Sequence, residues 1–412
     1  MTALELDVRL LEPDELLPAA TLVSSTMLQT TDPEVMAAWV DRMQDRVVHG
    51  AVRPDGRVVG TAQWFPADVS FAGGASRPAA LVTAVAVAAD HRRRGVLTRL
   101  MELQMASVRE AEAPIALLRP AEWPIYGRWG YGPAIESCTY EVDARSARFT
   151  AQPTGAIELV TPDELVPHLM AVHEVRWAHT AGAVTRDEVV WSQLAGAAAR
   201  PGQAADLGQN RAAIWRDASG AVQGAVAYAV EDRWERSRPV GRVAVSFLVG
   251  TTPEAERELW RHLCEIDWVA TVVAEMRGVD DELPHHLVDA RAATQLDRYD
   301  HIWARVLDVP AVLGARRSPL PGRVVAEVID DLGFAAGRWS IELAPDGAEI
   351  TRTTSTAEVE LPAAALGALC LGGTSATQLH RAGQVAEVAP GAVARLDQLL
   401  RTTPAPWSTT TY

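Results

Sequence analysis

Three consecutive arginines closed by a glycine, Arg92-Arg93-Arg94-Gly95, stand between an apolar run at 79–89, interrupted only by Thr83, and a segment opening at Val96. In that segment Leu97, Leu100, Met101, Met105 and Val108 recur near one face of a helix. A strand, a basic turn and a helix in this order set unpaired N–H groups and a positive helix end beside three guanidiniums, which is chemistry for a phosphate or pyrophosphate. Gly95 lets the backbone approach such a ligand closely. The first 150 residues carry 15 arginines against 19 carboxylates, so the cluster is a positive spot in an acidic region. By residue type alone a solvated basic loop accounts for the pattern equally well. Other chemistries lack the spacing they need. His173 and His179 lie six residues apart, off the shared helical face of a zinc pair, and read as a solvated helix. His285-His286, after Asp280-Asp281-Glu282, read as a charged loop, and no Gly-x-Ser-x-Gly elbow or Walker loop occurs. A metal is not expected.

The elements that must hold the arginine turn fill only part of the chain. Its 412 residues, at roughly 150 per domain, predict two or three domains. Hydrophobic content of 48% with 22% charged residues predicts folding throughout. The 38 basic residues, all arginine, against 53 acidic ones give −15, so no nucleic-acid or membrane partner is expected and any anion site must be local. Cys138, Cys264 and Cys370 are far apart and unpaired in spacing, as in a reduced cytoplasmic protein. The amino terminus carries acids where a signal peptide has a basic segment. The 79–89 run is about half the roughly 20 residues of a membrane helix.

Strands are expected at 4–10, 81–87 and 115–118, a helix from Pro13, and a hairpin around Asp55-Gly56. Periodicity is lost at 143–155, which places a boundary near 150. A second α+β region repeats the strand-then-helix order at 243–249 and 253–260, but Gly250-Thr251-Thr252-Pro253 replaces the arginines. From 299 come strands at 324–330, 339–343 and 349–353, then helices at 362–369 and 391–400. An extended tail carries Pro404 and Pro406.

The strand, Arg-x-x-Gly turn and helix resemble the pyrophosphate motif of the GNAT acetyltransferases, with Leu97 where the general family has Gly or Ala. Three further stretches resemble, in order, the enhanced intracellular survival (Eis) acetyltransferases: AEWPIYGRWGYGPA from Ala121, Val306-Leu307-Asp308-Val309-Pro310, and LGGTSATQLHRAG from Leu371. The resemblance spans the chain. It implies a mixed α+β (α/β) fold: a catalytic GNAT domain over 1–150, a degenerate GNAT-like domain over 151–298, and a sterol-carrier-protein-like domain over 299–412 whose tail reaches the active site. It implies acetyl-CoA as co-substrate, with Val85, Ala86 and Val87 along its thioester and pantetheine. Arg93, Arg94, Gly95, Val96, Leu97 and Thr98 would meet its pyrophosphate, and Ala121 and Glu122 its far arm. Tyr126 is implied as general acid and the carboxylate of Tyr412 as base. The acceptor implied is a small cationic amine, of aminoglycoside, polyamine or lysine type, and the assembly a homohexamer.

The chemistry agrees. A tyrosine of ordinary pKa about 10 protonates a thiolate of pKa about 8.5 at modest cost. A bulge near Val85 would free an N–H to polarise the thioester carbonyl. Trp407 and Tyr412 are suited to anchoring the tail. Ser24, Ser25, Thr26, Met27 and Trp39 read first as helix packing, with the amine pocket as the family's alternative. A reading from another class is a lipid- or small-ligand-binding protein using the C-terminal domain, its GNAT domains vestigial. A protein amine is a third acceptor.

Overall fold

The computed structural model describes residues 6–29, 32–198 and 210–410. The first third runs β1 (Asp7–Leu10), α1 (Leu16–Thr26), α2 (Pro33–Met43), β2 (Val47–Val52), β3 (Val58–Ser70), β4 (Ser76–Val87), α3 (Val96–Glu110), β5 (Ile115–Leu118), α4 (Trp123–Tyr126) and β6 (Gly132–Asp143). The second runs β7 (Ala156–Val160), α5 (Pro162–Trp177), α6 (Glu188–Ala195), β8 (Asn210–Arg216), β9 (Val222–Glu231), β10 (Trp234–Glu235), β11 (Arg238–Pro239), β12 (Gly241–Gly250), α7 (Pro253–Cys264), β13 (Val269–Gly278), α8 (Leu283–His286) and β14 (Ala293–Val306). The last holds α9 (Val309–Leu313), β15 (Gly322–Ile329), β16 (Gly337–Leu343), β17 (Ala348–Arg352), β18 (Val359–Pro362), α10 (Ala363–Leu369), α11 (Ala376–Arg381), β19 (Ala386–Glu387) and α12 (Ala392–Leu400).

The first two thirds share one 12-stranded sheet, ordered β1-β2-β3-β4-β5-β14-β6-β13-β12-β9-β8-β7. Read from either edge, each half lists its own first five long strands and then the last strand of the other half. The halves have exchanged β6 and β14, which pair with each other along most of their length at the centre. The expected division at 299 therefore falls inside β14, because the strand that closes the second half also completes the first. A strand paired on both edges is buried on neither register alone, and its core face must match two partners at once. Ile302, Ala304 and Val306 enter one core cluster and Trp303 another, on the opposite face.

The third region is a five-stranded sheet, β17-β16-β15-β18-β19, covered by α10 and α12. Helix α10 lies against β6 and β14 at glycine-sized separation. A Cβ on Gly132 would overlap the Ala364 carbonyl, and one on Gly367 the Ala304 carbonyl. Among the described residues no helix is long and apolar enough to cross a membrane.

Candidate active site

Strand β4 carries the first element of the site. Its register against β3 jumps from Thr61↔Ala86 to Gln63↔Thr83, so Ala84 and Val85 together face Ala62. Ala84 sits at φ +49, the left-handed region, and makes the bulge expected near Val85. On its other edge β4 pairs with β5 only from Ala79↔Ile115 to Val82↔Leu118. Beyond that point the strands part, and the β5-side edge of Val85, Ala86 and Val87 is left open. A cleft between diverging parallel strands presents N–H and C=O groups to an extended ligand.

The arginine turn lies directly above. Arg93 is at φ +59 and Gly95, the residue before α3, at φ +79. Arg92, Arg93 and Arg94 are exposed, and the N–H groups of Val96, Leu97 and Thr98 begin a 15-residue helix. A Cβ on Gly95 meets no atom within 4 Å, so the space over the helix end is open. Leu97 turns away from it, packed against the cluster that holds Met101 and Tyr126.

Ala121 and Glu122 are exposed just before α4, and Tyr126 closes that helix, buried beside Trp129 and Tyr131 with ring separations of 6.4 and 6.1 Å. Burial first, then the Glu122 carboxylate, pushes its phenol from 10 up to about 12. Tyr126 is thus a firmly neutral hydroxyl.

Below the bulge opens a cavity of about 490 Å³, lined by Thr83 and Ala84 of β4, Gln63 of β3, α1, α2 and α6, Glu275 and Met276 of β13, Tyr299 of β14, and the tail at Thr409 and Thr410. Glu275 and Met276 form a second bulge, facing Thr139, and the Met276 N–H donates to the Tyr299 hydroxyl at 3.3 Å. Of the residues first read as helix packing, Met27 and Trp39 line the cavity. Ser24 instead packs onto Met36, and Ser25 bonds the Leu22 carbonyl. Among the described residues Arg42, Arg46 and Arg119 line the cavity against one carboxylate, Glu275. The expectation of a cationic acceptor came from the family resemblance and from the chain's acidic balance, and this lining bears only on the second. The acidic excess lies elsewhere, and the cavity is positive.

The tail is threaded into the seam. Trp407 donates its Nε1 to the Met276 carbonyl at 2.7 Å, and Arg186 donates to Thr410 and Thr409 at 2.9 and 2.7 Å. Tyr412, the expected base, lies outside the described residues. The same tail meets the corresponding gap in the second half. Strands β12 and β13 also part, beyond Val245, but Arg277 bridges the gap to the Leu248 carbonyl at 2.8 Å, and Trp407 lies in a crevice with Phe247 and Val249. At the start of helix α7 the Thr252 side chain accepts from the Ala255 N–H, and Glu256 accepts from the Gly250 N–H at 3.4 Å. Glu256 there also pairs with Arg176 and Arg277.

His173 is buried, 4.8 Å from the Trp191 ring, rather than solvated as its polar neighbours imply, because α5 turns it onto α6. Burial, with a neighbouring arginine (Arg186 and Arg119 respectively), holds His173 down at about 3 and His301 down at about 4. Both stay neutral in the fold and charge freely once unfolded. The unfolded chain therefore holds more protons from about pH 6.5 downward, and stability falls as pH falls toward 4. Each histidine carries about 3 kcal/mol or more across that window. A melting temperature that drops steeply from pH 6.5 to about 4, less so in His301→Asn, is expected; a flat profile would refute it.

The fold and site define a class: tandem GNAT acetyltransferase domains followed by a sterol-carrier-type domain. Residues 7–134 and 182–306 match acetyltransferase (GNAT) domain families, and residues 309–409 a sterol carrier protein domain. The chain is 38% identical to an uncharacterized N-acetyltransferase of Streptomyces avermitilis over 86% of this chain and 85% of that one. It is 31% identical to the N-acetyltransferase Eis of Mycobacterium tuberculosis over 91% and 92%. The crystal structure of Eis1 from Mycobacterium abscessus superposes with a TM-score of 0.84 at 31% identity, covering 98% of this chain and 100% of that one. The chain belongs to the Eis-like N-acetyltransferases.

Val85 of the bulged strand and Leu97 at the start of α3 pack against the cluster that holds Tyr126, which does not line the cavity. Sequence reasoning missed Gln63, Arg42, Arg46, Arg119, Glu275 and Tyr299. They come from separate segments with no common motif; only the helical spacing of Trp39, Arg42 and Arg46 was there to be read.

Proposed function

We propose that the protein transfers the acetyl group of acetyl-CoA directly to a primary amine, with no covalent enzyme intermediate. The observation that carries this is the Ala84–Val85 bulge, which joins the open β4 edge to the cavity. Acetyl-CoA brings the activated acyl donor. Val85, Ala86 and Val87 bind its extended arm by backbone groups, and Arg93, Arg94, Gly95, Val96, Leu97 and Thr98 seat the pyrophosphate in the open space above α3. Ala121 and Glu122 flank the far arm. Tyr126 gives a hydrogen bond to the departing sulfur, and the Tyr412 carboxylate holds the acceptor's ammonium and takes its proton. Assembly as a homohexamer belongs to the same proposal and is checked by sedimentation.

Thiol release from acetyl-CoA tests it, with lysine-type amines, polyamines and aminoglycosides as the first panel. Amine-dependent release is expected. Absence of both release and acetyl-CoA binding would favour a ligand carrier instead. Against that carrier, Val324, Ile341, Leu366 and Leu396 of the third region already form one packed cluster. Exchanging both Arg93 and Arg94 for glutamine is expected to raise KM for acetyl-CoA about tenfold with kcat within about twofold, since ground-state phosphate contacts are lost. Unchanged KM would remove the turn from the site.

A further inference from the structure

One face of the cavity carries hydrogen-bond donors only. Trp39 and Arg42 lie on α2 and Arg46 three residues beyond its end, spaced to share one face of that helix. All three side chains are hydrogen-bond donors with no acceptor atom. The Trp39 indole N–H is buried without a partner among the described residues. Arg46 has no carboxylate within ion-pair distance among them; its guanidinium lies 4.5 Å from the centre of the Phe65 ring, and burial pushes it down to about 10. Arg42 reaches Asp187 only at 3.9 Å. A desolvated cation without a counter-ion is a costly arrangement that a bound anion relieves.

Acceptor atoms lie on another wall. Gln63 is 1% exposed, lines the cavity, and has neither amide atom hydrogen-bonded among the described residues. It stands directly across from Thr83, next to the bulge at Ala84. Glu275 and the Tyr299 hydroxyl line the cavity from β13 and β14. Between the walls Val23, Met27, Met43 and Leu194 are apolar.

We propose that the acceptor is an amine on an apolar scaffold that also carries an oxyanion, with the oxyanion seated on Trp39, Arg42 and Arg46 and the amine on Gln63 beside the Ala84 bulge. This rests on the acetyltransfer reading and names the substrate class for it. A polycation is disfavoured: among the described residues Arg46 and Arg119 line the cavity with no carboxylate within ion-pair distance, and Glu275 is the one carboxylate on its walls. Arg119, on the Tyr299 side, also favours the neutral form of a nearby amine, which is the nucleophile.

The test uses length-matched series of ω-amino carboxylates, aminoalkyl phosphates, plain alkylamines and diamines, with kcat/KM read by thiol release. The oxyanion-bearing acceptors are expected to exceed the alkylamines by about tenfold to a hundredfold, the range of charge-assisted hydrogen bonds, and to exceed the diamines by more. The carboxylate and phosphate arms tell the two oxyanion sources apart. Arg46→Gln and Arg42→Gln are expected to collapse that preference through KM. Diamines outrunning the amino carboxylates, or a preference untouched by Arg46→Gln, would overturn the proposal. Calorimetric binding of the same compounds separates it from the reading beneath it. If no acceptor yields thiol, the acetyltransfer reading fails, while oxyanion-dependent binding lost in Arg46→Gln sustains the pocket assignment and its absence overturns it.

Discussion

Replacing Asp330 by alanine is expected to lower the stability of the protein by about 3–5 kcal/mol, the cost of stranding a buried charge. Arg305 projects from the exchanged strand β14 and is fully buried; Asp330 follows β15 and is 3% exposed. One guanidinium nitrogen reaches both carboxylate oxygens at 2.8 and 2.7 Å. The carboxylate also accepts from the backbone of Leu332 and Ala335 at 3.2 and 2.8 Å. Alanine would leave Arg305 charged and enclosed beside the Phe334 ring, its Nε and one Nη already without partners among the described residues. Adding Arg305→Met should restore much of the loss, because it removes the charge that the first substitution strands. Urea unfolding midpoints measure both. A loss under about 1 kcal/mol for Asp330→Ala would mean that water or a rearranged partner reaches Arg305.

The second large effect is on turnover. Tyr126→Phe is expected to lower kcat about 10²-fold to 10³-fold while KM for acetyl-CoA stays within about twofold, the loss seen when one preorganised donor is removed. At the ordinary tyrosine pKa of about 10, full proton transfer to a thiolate of pKa about 8.5 costs about 2 kcal/mol. With Tyr126 pushed up to about 12, the cost is about 5 kcal/mol. Burial therefore changes the proposed role from the one expected of the residue type: Tyr126 would serve by hydrogen-bonding the developing thiolate more than by surrendering its proton. A pH profile distinguishes the two. An unionised donor leaves no tyrosine limb in kcat below about pH 11, whereas an alkaline limb near 10 that vanishes in Tyr126→Phe would restore the simpler acid. Unchanged kcat in the variant would remove Tyr126 from the chemistry altogether.

Much of the first GNAT unit was legible in the chain because its signals are local. An apolar run, an Arg-rich turn ending in glycine and an amphipathic segment each have a period or composition that survives without neighbours, and β4, the turn, α3 and β5 lie where those signals place them. The exchange of β6 and β14 was not legible. Its pairing partners, such as Tyr299↔Ser137, are more than 150 residues apart, and nothing within either segment marks which of two similar sheets it will join. His173 shows the same limit at one residue: its polar sequence neighbours point to solvent, while its spatial neighbour is Trp191.

By itself the sequence determined the order of elements, the arginine turn with its helix, the tyrosine between glycine-rich turns, and hence the family to which the chain belongs. Those are properties of contiguous residues, where backbone conformation and side-chain periodicity act over a few positions. The tertiary structure alone decided the bulge that joins cleft to cavity, the closing of the second cleft by Arg277 and Trp407, and the charged groups gathered around the cavity. Each of these is a sum over groups from distant segments. Electrostatic interaction depends on separation in space and on burial, so a net charge of −15 along the chain coexists with a positive cavity within it.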